Sequence, residues 1–186
     1  MELSVKRKFN GDFNELPTGT LKKHPKSKKL TQEDDFNKQG FKVDAIALVL
    51  LVFLYALMCL RIKALAEFIN IGTILSLVFL IVHEFCHSLV FYGKVNMYLG
   101  MGLIFVRGNE EMNRNRYIFM NLFPNILLGL IPYLIFMSNP SHVILGTFGL
   151  FSLVLGIDDY LNVYHALKLP KKAKIFMDKQ YTYWYE

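Results

Sequence analysis

The five residues from His83 to His87 read His-Glu-Phe-Cys-His, so two imidazoles lie four residues apart. On a helix this spacing places both rings on one face, where they can bind a single Zn²⁺. Glu84 lies one step round the helix, close to the metal position without binding it. A carboxylate there can take a proton from water and later pass it to a leaving amine. The pattern predicts zinc-dependent hydrolysis, with His83 and His87 as metal ligands and Glu84 as general base and acid.

The residues on both sides of this motif are mostly apolar. Two histidines in such a position can also serve only to hydrogen-bond neighbouring helices. Ionisable residues inside a membrane helix are costly, however, and by default they mark a functional site. We therefore expect a metal centre inside the bilayer.

A third metal ligand is needed, because catalytic zinc usually has three protein ligands and one open position. Asp158 and Asp159 are acids well inside the fourth apolar segment. At 1.5 Å per residue, His87, His83 and Asp159 lie at depths of about 8, 14 and 12 Å from the cytoplasmic surface. Adjacent helical residues point about 100° apart, so we expect only one of the two aspartates to bind. Their spacing leaves open which one.

The elements that must position these residues are predicted from the apolar runs. The chain has 186 residues, of which 53% are hydrophobic. A bilayer core requires about 20 residues of helix, and four segments come close to that length or exceed it. They predict an all-α, integral membrane protein with four transmembrane helices, at Asp44–Leu60, Leu65–Tyr92, Tyr117–Met137 and His142–Leu167.

The rest of the chain is more polar. We expect residues 1–43 to form a basic, disordered cytoplasmic arm, residues 44–169 the transmembrane zinc peptidase domain, and residues 170–186 a cytoplasmic or interfacial tail. The stretch Val95–Val106 is apolar but too short to span a membrane, and Gly100 and Gly102 disfavour a helix. It predicts a short membrane-associated hairpin or re-entrant loop.

The charge distribution predicts the topology. The formal charge is +6, and ten of the 21 Lys and Arg residues precede Asp44. Positive charge beside membrane helices collects on the cytoplasmic side, so we expect a multi-pass protein of the cell membrane with both termini in the cytoplasm. The same distribution favours the lipid bilayer over nucleic acid as the partner of the basic residues.

Several other polar residues lie in the third apolar segment. Asn121 and Asn125 could donate hydrogen bonds to a substrate oxyanion, but such residues more often join helices. Pro124 and Pro132 predict a kink in this segment.

The motif and its context resemble a known family. HEFCH in a short membrane protein resembles the site-2 protease type of intramembrane metallopeptidase. More closely, it resembles a family of small bacterial membrane proteins described as zincin peptidases, which pair an HExxH helix with a later Gly-x-x-Asp element and a Leu-Pro-Lys stretch. Here these read Gly156-Ile157-Asp158-Asp159 and Leu169-Pro170-Lys171. The resemblance implies that Asp159 is the third zinc ligand, with Asp158 as the alternative.

The predicted function is therefore hydrolysis of peptide bonds within or near the membrane by a zinc metalloprotease, acting on a membrane protein or peptide. Three alternatives stay open at this point. The chain could be an inactive membrane zinc-binding protein or scaffold, although binding alone would not require Glu84. It could be a transporter or a cofactor-binding helix bundle. It could also hydrolyse lipids or small molecules at the same site.

Overall fold

The computed structural model describes residues 2–7, 9–18, 21–31, 36–67, 69–100 and 103–186. The longest helix, α1, covers Phe36–Ile62, and no charged residue lies between Asp44 and Arg61. The other helical elements are a 3₁₀ turn (Phe13–Glu15), α2 (Ile71–Val78), α3 (Leu80–Leu89), α4 (Arg114–Pro124), a π-helical segment (Asn125–Leu130), α5 (Ile131–Ser138), α6 (Val143–Leu155) and α7 (Ile157–Leu167).

Several of these helices are candidates for membrane spans. Gly40–Ile62 and Arg114–Ser138 are each long and apolar enough to cross a bilayer. Two further pairs meet the same criteria of length and composition, but each is bent at a short break. The bend is 42° between α2 and α3, and 51° between α6 and α7. The described residues thus contain between two and four candidate spans, which is compatible with the predicted membrane association.

The described residues also form two β-sheets. The first has the strand order β1–β3–β4, in which β1 runs parallel to β3 and β4 antiparallel to it. The second has the order β2–β7–β6–β5, with all neighbours antiparallel. The strands are β1 (Glu2–Arg7), β2 (Lys28–Lys29), β3 (Lys94–Gly100), β4 (Leu103–Gly108), β5 (Met112–Asn113), β6 (Lys174–Asp178) and β7 (Tyr181–Tyr185).

The prediction of an all-α four-helix fold with a disordered amino-terminal arm is therefore wrong. Strands β1 and β2 both lie in the predicted arm, and β1 pairs with β3 from Glu2↔Lys94 to Arg7↔Leu99. The first five residues of β1, Glu-Leu-Ser-Val-Lys, alternate polar and apolar, a short strand pattern that the prediction of a disordered arm overlooked. The hairpin expected at Val95–Val106 corresponds to the antiparallel strands β3 and β4, and residues 101–102 between them lie outside the described residues.

The chain divides into two compact units. One comprises Met1–Gln32, Glu84–Asn121 and Asn162–Glu186, and contains both sheets. A small aromatic core in this unit joins the arm to the hairpin, through Phe9, Leu16, Tyr98 and Phe105. The other unit comprises Glu33–His83 and Leu122–Leu161 and is helical. Its core is formed by apolar side chains of three helices and a loop, among them Leu54, Met58, Ala66, Tyr133, Phe136 and Leu150.

Candidate metal centre

Helix α3 brings the ligand atoms of the motif residues close together. Potential ligand atoms of His83, Glu84 and His87 all lie within 4.8 Å of one another. Both histidines are buried, with 8% and 7% of their surfaces exposed. Histidine nitrogens and a carboxylate oxygen are the donors that zinc sites use, and this helix brings three of them together.

His87 is oriented by helix α4. Its Nδ1 lies 2.9 Å from the backbone carbonyl oxygen of Met120. A carbonyl only accepts, so Nδ1 carries a proton and donates it, and the neutral ring then presents its lone pair on Nε2. Zinc-binding histidines commonly donate from their second nitrogen in this way, which fixes the tautomer and the ring direction.

The Met120 carbonyl can accept this bond because of Pro124. In an α-helix that carbonyl would accept from the N–H four residues later, and proline has none. Beyond Pro124 the helix continues as the π-helical segment Asn125–Leu130. Such local widening of a helix is frequent at functional sites.

His83 meets a carboxylate from α7. Its Nε2 lies 3.0 Å from Oδ2 of Asp159, and the two side chains are only 10% and 13% exposed. The amide of Asn125 donates to the same Asp159 oxygen at 2.7 Å. Two ligand atoms of a tetrahedral zinc lie about 3.4 Å apart, given bonds of about 2.0–2.2 Å. A separation of 3.0 Å is close to that, so the donor atoms of His83 and Asp159 fit a shared zinc ion.

The break between α6 and α7 brings Asp159 to this position. Gly156 lies at the break, and a Cβ there would be 1.7 Å from Oδ1 of Asn125. Only glycine therefore allows α7 to begin so close to Asn125. Asp159 is in the first turn of α7, where its N–H donates to the Gly156 carbonyl at 3.1 Å. A carboxylate is favoured at a helix amino terminus by the helix dipole.

The two candidate aspartates differ in their surroundings. Asp159 contacts His83, whereas Asp158 is exposed. The structure thus places the predicted ligand beside a motif histidine and leaves the side chain of the alternative exposed. This difference favours Asp159, and its assignment as a ligand stays a prediction.

The two asparagines of the third apolar segment have different partners. Asn121 donates to the Tyr117 carbonyl at 2.8 Å and accepts from Asn162 of α7 at 3.2 Å. It therefore joins helices, which was the alternative to an oxyanion role. Asn125 instead contacts the proposed ligand Asp159. Sequence reasoning missed that contact, because nothing in the spacing of two residues so far apart indicates it.

Sequence reasoning also missed Arg107 as a residue near the site. It lies on β4, and its Nε is buried without a hydrogen-bond partner among the described residues. One of its terminal nitrogens donates to Sδ of Met177 at 3.6 Å. Burial lowers the pKa of Arg107, while Tyr117 and the Glu84 carboxylate act in the opposite direction. A buried guanidinium is therefore part of the electrostatic environment of Glu84.

Helix α3 carries two histidines and a glutamate with their ligand atoms close together, which is the donor set of a zincin-type metal site. The chain belongs to the family DUF3267, described as "Putative zincin peptidase", whose model matches residues 76–174. That range is 99 of the 186 residues and includes every residue of the site. Searches among curated proteins and among solved structures found no match.

Proposed function

We propose that this protein is a membrane-embedded zinc metalloprotease that hydrolyses peptide bonds in membrane proteins or peptides. The observation that carries the proposal is the 3.0 Å approach of His83 Nε2 and Asp159 Oδ2, next to Glu84 and His87 on one helix. Membership of a zincin peptidase family supports the same reaction class.

In this proposal the zinc ion is held by His83, His87 and Asp159. When bound, zinc supplies Lewis-acid polarisation of an oxygen ligand and lowers the pKa of a coordinated water to about 7. The protein's own contribution is to fix the donors. Met120 orients His87, and Asn125 holds the Asp159 carboxylate. Such outer partners keep ligand atoms in place and increase metal affinity.

Glu84 provides the proton transfer. Its carboxylate accepts a proton as water adds to the substrate carbonyl carbon. It then delivers that proton to the amide nitrogen as the carbon–nitrogen bond breaks. Glu84 follows His83 directly and is half-buried, so it can reach water while staying beside the metal position. A protein that only bound zinc would not require a carboxylate at this position.

The helices that carry the site support a position within the membrane. α3 is the second half of one bent candidate span, and α7 is the second half of the other. Asn125 lies in the candidate span Arg114–Ser138. With the basic residues on the cytoplasmic side, both termini face the cytoplasm, and the site lies in that half of the bilayer.

Zinc content tests the ligand set. The detergent-purified protein should contain about one zinc per chain by mass spectrometry. His83→Ala and Asp159→Ala should lose it, while Asp158→Ala and Glu84→Gln should keep it. Absence of zinc in the wild type, with no recovery on adding zinc, would contradict the proposal. Loss of zinc in Glu84→Gln would instead make the glutamate a ligand.

Proteolysis is tested separately. Wild type and Glu84→Gln are reconstituted with a membrane-protein extract, and new amino termini are identified by mass spectrometry. Termini that appear only with the wild type, and only with zinc, would support the protease. Equal termini in both samples from zinc-loaded protein would favour an inactive zinc-binding protein.

A further inference from the structure

The chain just after α3 is held by a partly buried ion pair, which we call the Arg116–Glu110 clamp. Arg116 donates to the Val90 carbonyl from Nε at 2.9 Å, and its two terminal nitrogens contact the Val90 carbonyl and Glu110 Oε1. The other oxygen of Glu110 accepts from the backbone N–H groups of Tyr92 at 2.8 Å and Gly93 at 3.1 Å. The two charged side chains are only 15% and 18% exposed.

The clamp acts where helix α3 ends. The N–H of Val90 donates to the carbonyl of His87 at 3.2 Å, a bond over three residues that tightens the last turn. The Val90 carbonyl has no further helical N–H to accept from, and Arg116 supplies the donor. A cation at a helix carboxyl terminus is also favoured by the helix dipole. The guanidinium lies 3.5 Å from the centre of the Tyr92 ring, which adds a cation–π contact.

The same helix that carries the clamp also carries the partner of His87. Arg116 and Met120 are four residues apart on α4, so they lie on one face, one turn apart. His87 and Val90 are likewise about one turn apart at the end of α3. The two helices are thus joined at two points, by Arg116 to Val90 and by His87 to Met120. Two such points fix both the sliding and the rotation of one helix on the other.

We propose that the Arg116–Glu110 clamp is a positioning device for His87, which holds the end of α3 on α4 so that Nδ1 donates to the Met120 carbonyl. Arg116 and Glu110 touch neither metal nor substrate in this assignment. The effect on zinc rests on the proposed function, whereas the effect on the His87 ring does not. Arginine suits this role better than lysine, because its planar fork donates to the carbonyl and the carboxylate in one fixed geometry.

The first test reads the ring itself. The full-length protein is labelled with ¹⁵N only in histidine, and the signals of His87 are assigned with His87→Ala. In the wild type, the ¹⁵N shifts should report a proton on Nδ1, held by the Met120 carbonyl. In Arg116→Gln we expect a mixture of tautomers or loss of the hydrogen-bonded signal. Unchanged His87 signals in a folded Arg116→Gln protein would overturn the proposal, whether or not the protein binds zinc.

The second test measures zinc affinity by competition with a chromophoric chelator. We expect Arg116→Gln to lower the affinity by roughly 10- to 100-fold, as for loss of other outer partners of a zinc site. Glu110→Gln should show a smaller loss, and Arg116→Lys should lie between wild type and Arg116→Gln. Wild-type affinity in all three variants would count against the clamp, and absence of zinc from the wild type would count against the proposed function.

Two controls separate positioning from general stability. Glu2 and Lys94 form a surface ion pair at 3.6 Å, with side chains 70% and 81% exposed, and Lys94→Gln should leave both readouts unchanged. Tyr133→Phe removes a buried hydrogen bond far from the clamp in sequence, and it serves as a variant of lowered melting temperature. If it lowered zinc affinity as much as Arg116→Gln at a matched melting temperature, the clamp would be merely structural.

Discussion

Replacing Asn125 by alanine removes the side chain that holds Asp159. Asn125 is 2% exposed, and its amide donates to Asp159 Oδ2 at 2.7 Å. That oxygen is the one that lies 3.0 Å from His83. Without the amide, the carboxylate can adopt other rotamers and must be ordered again when zinc binds. We expect the protein to fold and to bind zinc more weakly.

The size of this loss follows from the type of bond. A hydrogen bond to a charged group contributes about 1.5–3 kcal/mol. Each 1.4 kcal/mol is a factor of ten in a binding constant. If this contribution reaches the metal site nearly in full, zinc affinity falls by roughly 10- to 100-fold, which is also the usual cost of losing an outer partner of a metal ligand.

The assay is chelator competition on detergent-purified protein, with Asn121→Ala as the matched control. Asn121 has the same exposure, 2%, and lies on the adjoining stretch of the same helix, but its partners are Tyr117 and Asn162. Both substitutions leave a cavity, so both should lower the melting temperature. Only Asn125→Ala should lower zinc affinity. Equal affinities for the two variants would refute the reasoning that Asn125 acts through Asp159.

Three further predictions test the fold around the site. Gly156→Ala should lower zinc affinity, because its Cβ would lie 1.7 Å from Oδ1 of Asn125, the residue that holds Asp159. Gly40→Ala is the control, since no atom lies within 4 Å of its Cβ, and it should leave the affinity unchanged. Chelator competition compares the two variants. Tyr133→Phe removes a 2.6 Å bond to a carbonyl of α1 and should cost about 1 kcal/mol, read as a lower melting temperature. Burial opposes ionisation of Glu110, but hydrogen bonds from the clamp arginine and two backbone amides lower its pKa below 4.5. The stabilisation of the fold by ionised Glu110 is therefore complete above pH 4.5 and is lost as the pH falls through the lowered pKa of Glu110. The difference in melting temperature between wild type and Glu110→Gln should therefore vanish in acid.

The proximity of the three motif residues could be predicted because their signal is local. His83 and His87 lie four residues apart, so the spacing alone places them on one face of a helix, with Glu84 one step round from His83. For Asp159, the number of residues from the helix end predicts the depth of the histidines, and the family resemblance implies that it is the third zinc ligand. The structure brings it to 3.0 Å from His83. The predicted depth of a residue in a membrane helix is its distance in residues from the helix end multiplied by the rise per residue. Residues of two distant helices can therefore be compared from the sequence, before the packing of the helices is known.

The β-sheets could not be predicted in the same way. Strand β1 is short and charged, and its pairing partner is β3. In β6 and β7, side chains such as Phe176 and Tyr183 stack on each other across the strands, at 5.7 Å between ring centres. In the sequence this aromatic run is equally typical of a membrane interface. The identity of a strand depends on its neighbours in the sheet, and these are not adjacent in the chain.

Pro124 illustrates a signal that was present in the sequence but interpreted too coarsely. A proline in a membrane helix predicts a kink, but it also identifies the carbonyl that loses its partner, four residues earlier. That residue is Met120, and its carbonyl accepts from His87. Met120 is buried, and a buried carbonyl without a donor is costly, so the released carbonyl must find one nearby. Pro124 thus frees the Met120 carbonyl, which fixes the tautomer of His87, a proposed zinc ligand. In this interpretation the proline serves the orientation of His87 more directly than the bending of the helix.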